Sequence, residues 1–246
     1  TCYICTQALH WKTKEGLVRG CSCRGTAGFA HVSCLAEQAK ILVAEAEENN
    51  LSDKVFDERW ARWDRCSLCE QRYHGDVGCA VGWACWKTYV GRSDDDWNRG
   101  AAMNVLGNEL SGANHQEDAL SVREAELARL RRLGAPVHHV LVVQTNLALT
   151  YQHLGRLEQA MQMQKDVYFG RLKTHGVEQS YTLTAANNYA ASLVVLRRYE
   201  EAKSLLRRTI PVARRVLGEG HDITLKIRLI YAKVLYTDAG ATLDNL

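Results

Sequence analysis

The run Cys21-Ser-Cys-Arg-Gly-Thr-Ala-Gly-Phe-Ala-His-Val-Ser-Cys34 places four soft donors, Cys21, Cys23, His31 and Cys34, within fourteen residues. A Cys-x2-Cys pair precedes it, Cys2 and Cys5, and another follows, Cys66 and Cys69. Thiolate and imidazole are the donors that zinc takes in closed structural tetrahedra. Eight of them in this order suit two Zn2+ ions. A segment built this way uses metal in place of an apolar core to fold. Residues 1–72 are therefore expected to be a small metal-stapled module.

Nine cysteines, seven of them in that block and mostly in paired spacings, favour metal ligation in a reducing compartment over a disulfide framework. The cytoplasm is the expected location, with the nucleus also open. Lys and Arg number 31 against 28 Asp and Glu, too even a balance to support electrostatic binding to nucleic acid. The longest apolar run, around residues 78–90, is broken by Trp86, Lys87 and Thr88 and is too short to span a bilayer. The chain starts at Thr1, one residue before a candidate ligand, which leads to the expectation of a piece of a longer protein.

Residues 35–49 are rich in Ala, Leu, Glu and Lys and read as a helix, with a shorter one from the Ser52-Asp53 cap to Trp63. Residues 73–98 read as a glycine-punctuated junction holding a short helix over 79–89, with Asp94-Asp95-Asp96 opening the next helix. From about residue 99 the chain repeats. Gly107, Ala148, Ala190 and Ala232 follow at steps of 41, 42 and 42 residues. Further columns are Ala119, Ala160 and Ala202, and Leu141, Leu183 and Leu225. A period near 42 with two helices per unit marks an α-solenoid, in which small residues let paired helices approach. Leu110, Tyr151, Leu193 and Leu235 would fill the groove beside them. Pro211 falls inside a second helix and is expected to kink it.

These repeats, over residues 99–246 and about three and a half in number, resemble the tetratricopeptide repeats of kinesin light chain type. The ligand order, the single residue between Cys21 and Cys23, the seven between Cys23 and His31, and His31-Val-Ser-Cys34-Leu resemble the RING-CH finger, a variant RING. Together the resemblances imply a small zinc-stabilised α+β cross-brace module followed by an all-α tetratricopeptide-repeat solenoid. They imply that Cys2, Cys5, His31 and Cys34 share one zinc, and Cys21, Cys23, Cys66 and Cys69 the other. They also imply a ubiquitin-conjugating enzyme as partner, docked on an apolar patch that includes Ile4 and Leu68. The RING-CH resemblance thus implies a ubiquitin-protein ligase, which acts by orientation and has no nucleophile of its own. Asn104, Asn146, Asn187 and Asn188, on first helices of the repeats, would line a groove for a client protein or peptide.

The chain departs from the RING-CH pattern in two places. The tryptophan usually found a few residues after His-x2-Cys is replaced by Ala36-Glu37-Gln38-Ala39, and Trp60 and Trp63 come only after a long insertion. Glu70 follows the last ligand, where many active RINGs carry a basic residue that contacts ubiquitin. A non-catalytic zinc and repeat adaptor is thus the alternative. A PHD-like histone reader, with Trp60 and Trp63 in an aromatic cage, is the third reading. Cys79 and Cys85 on an apolar stretch read as buried thiols. The arginine clusters at residues 129–132, 207–208 and 214–215 read as solvated helix faces.

Overall fold

The computed structural model describes residues 1–238. The chain divides into two compact units, Thr1–Arg129 and Leu130–Leu246.

In the first unit the ligand-bearing segments are turns and loops. Their described residues form only two isolated antiparallel bridges, Val18 with Ala30 and Arg65 with Arg72. The β layer expected of an α+β module is therefore not built. Positive φ at Thr6, Lys14, Gly25, Gly28 and Glu70 breaks this part of the chain into turns. Helix α1, Val32–Glu48, buries Leu35, Ala39, Val43 and Ala46 on one stripe. Its N-terminus is capped from a distant loop, where Glu15 accepts the Ser33 N–H at 2.9 Å. Helix α2, Asp53–Trp60, continues into a 3₁₀ turn at Ala61–Trp63. Helix α3 spans Gly75–Tyr89.

Val81, Cys85 and Tyr89 of α3 share one core with Leu35, Ala39, Val43, Trp63 and the ligand cysteines. Helix α3, which lies within the expected junction over residues 73–98, thus shares the core of the ligand-bearing module. Helix α4, Trp97–Gly112, starts on Asp96, whose carboxylate accepts the Arg99 N–H at 3.1 Å. Arg92 donates twice to Glu47, at 2.7 and 2.8 Å, and Asn98 donates once, tying the end of α1 to the start of α4. Helix α5, Gln116–Arg132, contributes Ala119 to a small core with Leu106 and Leu110.

The second unit holds α6, Val137–His153; α7, Leu157–His175; α8, Ser180–Val195; α9, Tyr199–Leu217; and α10, Asp222–Asp238. The small-residue columns pack as the periodicity requires: Ala148, Ala160, Ala190 and Ala202 are fully buried. Helix α9 is continuous through Pro211. The columns fail on α10. Leu225 is 49% exposed and Leu235 41%, while Thr224, Ile227 and Val234 are buried instead. Ala232 is exposed as well. Ala148 and Ala190 lie on helices covered by α7 and α9, the second helices of their repeats; among the described residues no such helix follows α10.

Candidate metal centre and partner surfaces

Two turns of the same construction carry the outer cysteine pairs. In residues 2–7, Cys2 N–H donates to Gln7 O and Thr6 N–H to Cys2 O, both at 2.9 Å. In residues 66–71, Cys66 N–H donates to Gln71 O and Glu70 N–H to Cys66 O, both at 3.0 Å. Ile4 N–H and Leu68 N–H each reach the preceding cysteine Sγ at 3.4 Å. Thr6 and Glu70 close their turns with φ of 62° and 56°. Amide donors aimed at sulfur favour the thiolate.

The turns bring the donors into two interleaved sets. Cys2, Cys5, His31 and Cys34 form one; Cys21, Cys23, Cys66 and Cys69 form the other, with the ligand atoms of each set within 4.8 Å of one another. Zn–S and Zn–N bond lengths give tetrahedron edges of about 3.8 Å between sulfurs and about 3.6 Å between sulfur and nitrogen. The Cys23 and Cys66 sulfurs are 3.8 Å apart. His31 Nδ1 lies 3.4 Å from Cys5 Sγ and 3.5 Å from Cys34 Sγ. These separations match the edges of a zinc tetrahedron with the donors at its corners. His31 is fully buried, and its Nε2 faces Ala8 O at 3.4 Å. A proton on Nε2 leaves Nδ1 bare toward the sulfurs, the outer hydrogen bond expected of a metal-bound histidine.

Burial and neighbouring sulfurs push Cys23 and Cys34 up to about 12. At Cys2, burial is outweighed by hydrogen bonds from the backbone of Cys5, His31 and Ile4, and the thiol falls to about 7. A backbone bond from Gln71 does the same for Cys69, to about 7. Thiols this close cannot all ionise without a cation among them, and a divalent ion deprotonates coordinating thiols outright. Gly28 makes room for the second set. With φ of +77°, a Cβ there would lie 2.6 Å from Cys23 Cβ, 2.9 Å from Cys23 Sγ and 3.0 Å from Cys21 Sγ.

A family profile for the RING-variant domain matches residues 2–52, and one for tetratricopeptide repeats matches 140–179 and 182–222. Residues 2–52 form a RING-variant domain. The chain also carries tetratricopeptide repeats. The RING-variant match ends before Cys66 and Cys69, which the fold nonetheless brings beside Cys21 and Cys23. Among solved structures, the chain is similar to a kinesin light chain with nearly identical TPR-like repeats from Podosopora anserina. That match has 18% identity and TM-score 0.57, covering 87% of this chain and 91% of the other. It is also similar to BtubC (BKLC) from P. vanneervenii, at 16% identity and TM-score 0.52, covering 85% and 67%. At these identities the likeness shows the fold alone. No curated protein sequence matches.

Beside the first ligand set the RING-variant module opens a groove of about 370 Å³, walled by Ile4, Trp11, Ile41 and Leu42, with Ser33, Glu37 and Gln38 also lining it. Leu68 is exposed in the other outer turn. Trp60 and Trp63 serve elsewhere. Trp63 is fully buried against Tyr89, which removes it from any partner surface. Trp60 packs at 5.1 Å on Trp97, 5.3 Å on Tyr89 and 6.1 Å on Phe56. Rings in mutual contact leave no open cage for a methylated lysine, so the histone-reader reading loses its site. Trp11, which nothing in the spacing marked, is the exposed aromatic of the groove.

In the repeats, Asn104 accepts from Asn108 at 3.0 Å, and Asn187 donates to Asn188 at 3.3 Å while its Oδ1 stays buried without a partner. Asn104, Asn146, Asn187 and Asn188 are all partly exposed. Gln152 of α6 donates to Ser192 of α8 at 2.8 Å, linking the first helices of successive repeats. Cys85 is buried, which raises its thiol well above the ordinary range, and Cys79 is raised for the same reason. Among the described residues no helix is long and apolar enough to cross a membrane.

Proposed function

We propose that the chain is a RING-type ubiquitin-protein ligase: its zinc module docks a ubiquitin-conjugating enzyme, and its repeats bind a client protein. The observation that carries the reading is the interleaving of the two donor sets beside an apolar groove that contains Ile4. Cys2, Cys5, His31 and Cys34 would hold one zinc, and Cys21, Cys23, Cys66 and Cys69 the second. Zinc, when bound, closes the loops and fixes the groove without acting on substrate. Ile4, Ile41 and Leu42 seat an apolar side chain of the conjugating enzyme. Docking holds the thioester in a restricted geometry for attack by a client lysine, so the chain contributes orientation and no nucleophile. In the second unit, client binding falls to the partly exposed Asn146, Asn187 and Asn188 on α6 and α8; in the first unit, Asn104 on α4 is a separate candidate contact. The paired cysteine spacings are read as metal ligation in a reducing compartment such as the cytoplasm.

Purified protein, ubiquitin, activating enzyme and a panel of conjugating enzymes test the reading. Zinc-dependent chain formation is the expected result, with Ile4→Ala abolishing transfer at unchanged zinc content. No transfer across the panel would leave the adaptor.

One observation favours that second reading. Glu70 projects its carboxylate beside the last ligand and is clamped by Arg62 at 3.0 and 2.6 Å, so the expected basic position is occupied by an acid. Glu70→Arg separates the two readings. A ligase gains transfer rate from the restored cation, and an adaptor shows no transfer in either form.

A further inference from the structure

Helix α2 belongs to the long insertion between Cys34 and Cys66, beyond the residues that the RING-variant profile matches, and none of its residues is fully buried. Asp53, Phe56, Asp57 and Trp60 stand at i, i+3, i+4 and i+7, so they share one face of the helix. Phe56 and Trp60 stack at 6.1 Å with 15° between their planes. Trp97, the first residue of α4, meets these two rings edge-on at 5.5 and 5.1 Å. Trp97 remains 55% exposed, so the three rings make one aromatic face that is open to water. It shares no residue with the groove beside the first donor set.

Acids surround this face. Asp53 and Asp57 on α2 and Asp95 just before α4 are exposed, and none of them forms an ion pair among the described residues. The neighbouring guanidinium groups are committed elsewhere: Arg59 to Glu45, Arg92 to Glu47 and Arg99 to Asp94. Asp53 suits the first turn of α2, but Asp57 lies in the last turn, where the helix dipole disfavours an acid. The aromatic cluster already holds one guanidinium. Arg92 lies 4.9 Å from the centroid of Tyr89, a ring packed at 5.3 Å on Trp60. A planar guanidinium can stack on a flat aromatic surface and pair with a carboxylate at the same time, with no enclosing cage; an ammonium group stacks less well.

We infer that the face of Phe56, Trp60 and Trp97 is a docking surface for an arginine-rich segment of a protein partner. One guanidinium stacks on the exposed indole of Trp97, and its neighbours in the segment pair with Asp53 and Asp57. Charge complementarity selects a basic segment, and the flat rings select arginine over lysine. The surface stands apart from the ligase reading and holds for an adaptor as well.

The test measures binding of the full chain to a fluorescein-labelled peptide that alternates arginine with serine, by fluorescence anisotropy. A peptide with lysine in place of every arginine is the charge-matched comparison. Wild type, Trp97→Ala, Asp57→Lys and Asp118→Lys are titrated, with zinc content and melting temperature recorded for each. Wild type should bind the arginine peptide more tightly than the lysine peptide. Trp97→Ala should weaken the arginine peptide about tenfold and bring it level with the lysine peptide, the loss of one stacked cation. Asp57→Lys, an exposed change that leaves the rings in place, should weaken both peptides. Asp118→Lys, which reverses an exposed acid on α5 outside this face, should bind as wild type does. Equal affinity of wild type for the two peptides would reduce the effect to bulk charge and overturn the inference. So would wild-type binding of the arginine peptide by both Trp97→Ala and Asp57→Lys, or no binding of it by wild type.

Discussion

Replacing Gly28 by alanine should empty the second metal site while sparing the first. The added Cβ would meet Cys23 Cβ at 2.6 Å, Cys23 Sγ at 2.9 Å and Cys21 Sγ at 3.0 Å. Carbon contacts relax at about 3.5–4.0 Å, so the neighbours must move by about 1 Å. Metal–ligand distances tolerate only about 0.2 Å, so that movement takes Cys23 out of coordination. Gly25 supplies the control. It has φ of +62° against +77° at Gly28, but a Cβ there meets nothing within 4 Å. Both substitutions carry the left-handed backbone cost of roughly 1–2 kcal/mol, and only Gly28→Ala disturbs sulfur. Native mass spectrometry with a zinc competition titration reads the difference. Gly25→Ala should retain wild-type zinc content with a small loss of stability. Gly28→Ala should keep the ion of the Cys2, Cys5, His31 and Cys34 set and lose the other. Equal zinc affinity in the two variants would refute the packing argument.

Trp63→Ala should cost about 3–5 kcal/mol, because Trp63 is fully buried between the ligand-bearing loops and Tyr89; chemical denaturation of the full chain, followed by a probe in the first unit, measures it. Glu109 is buried against Gly78 and Gly82, and burial, with Asp64 adding repulsion, raises its carboxyl to about 7. The folded state therefore binds a proton that the unfolded state has already released, so the Glu109 contribution to stability falls as pH rises from the ordinary carboxyl range through about 7. Glu109→Gln should match wild type at the acid end and gain up to roughly 3 kcal/mol above neutrality; a pH-independent difference between the two denaturation series would contradict it.

The sequence carried the parts of this architecture that rest on spacing. Donor order marked every member of the two sets, because a tetrahedron needs donors at short fixed offsets and little else. The 42-residue columns marked Ala148, Ala160, Ala190 and Ala202, all of which are fully buried. What depended on long-range packing stayed hidden. Trp63 looked like a surface aromatic because the long insertion before Cys66 gives no hint that α3 returns to cover it. Residues 73–98 looked like a junction because glycines also serve close approach; Gly78 and Gly82 admit Glu109 of α4. Leu225 and Leu235 obeyed the repeat period, but a column is buried only where a second helix covers it. Trp11 lay in a polar loop with no periodic signal. Its exposed place on the groove wall is set by the turn at residues 10–15, which Glu15 ties to α1 through the Ser33 N–H.

The interleaved donor pairing is tested most directly by Cys69→Ser, with zinc counted by native mass spectrometry and thiols mapped by alkylation. Wild type should hold two ions and the variant one, with Cys21, Cys23 and Cys66 becoming reactive while Cys2, Cys5 and Cys34 stay protected. Reactivity appearing at Cys34 while Cys21 and Cys23 remain protected would mean that the donors pair in chain order, and would contradict it.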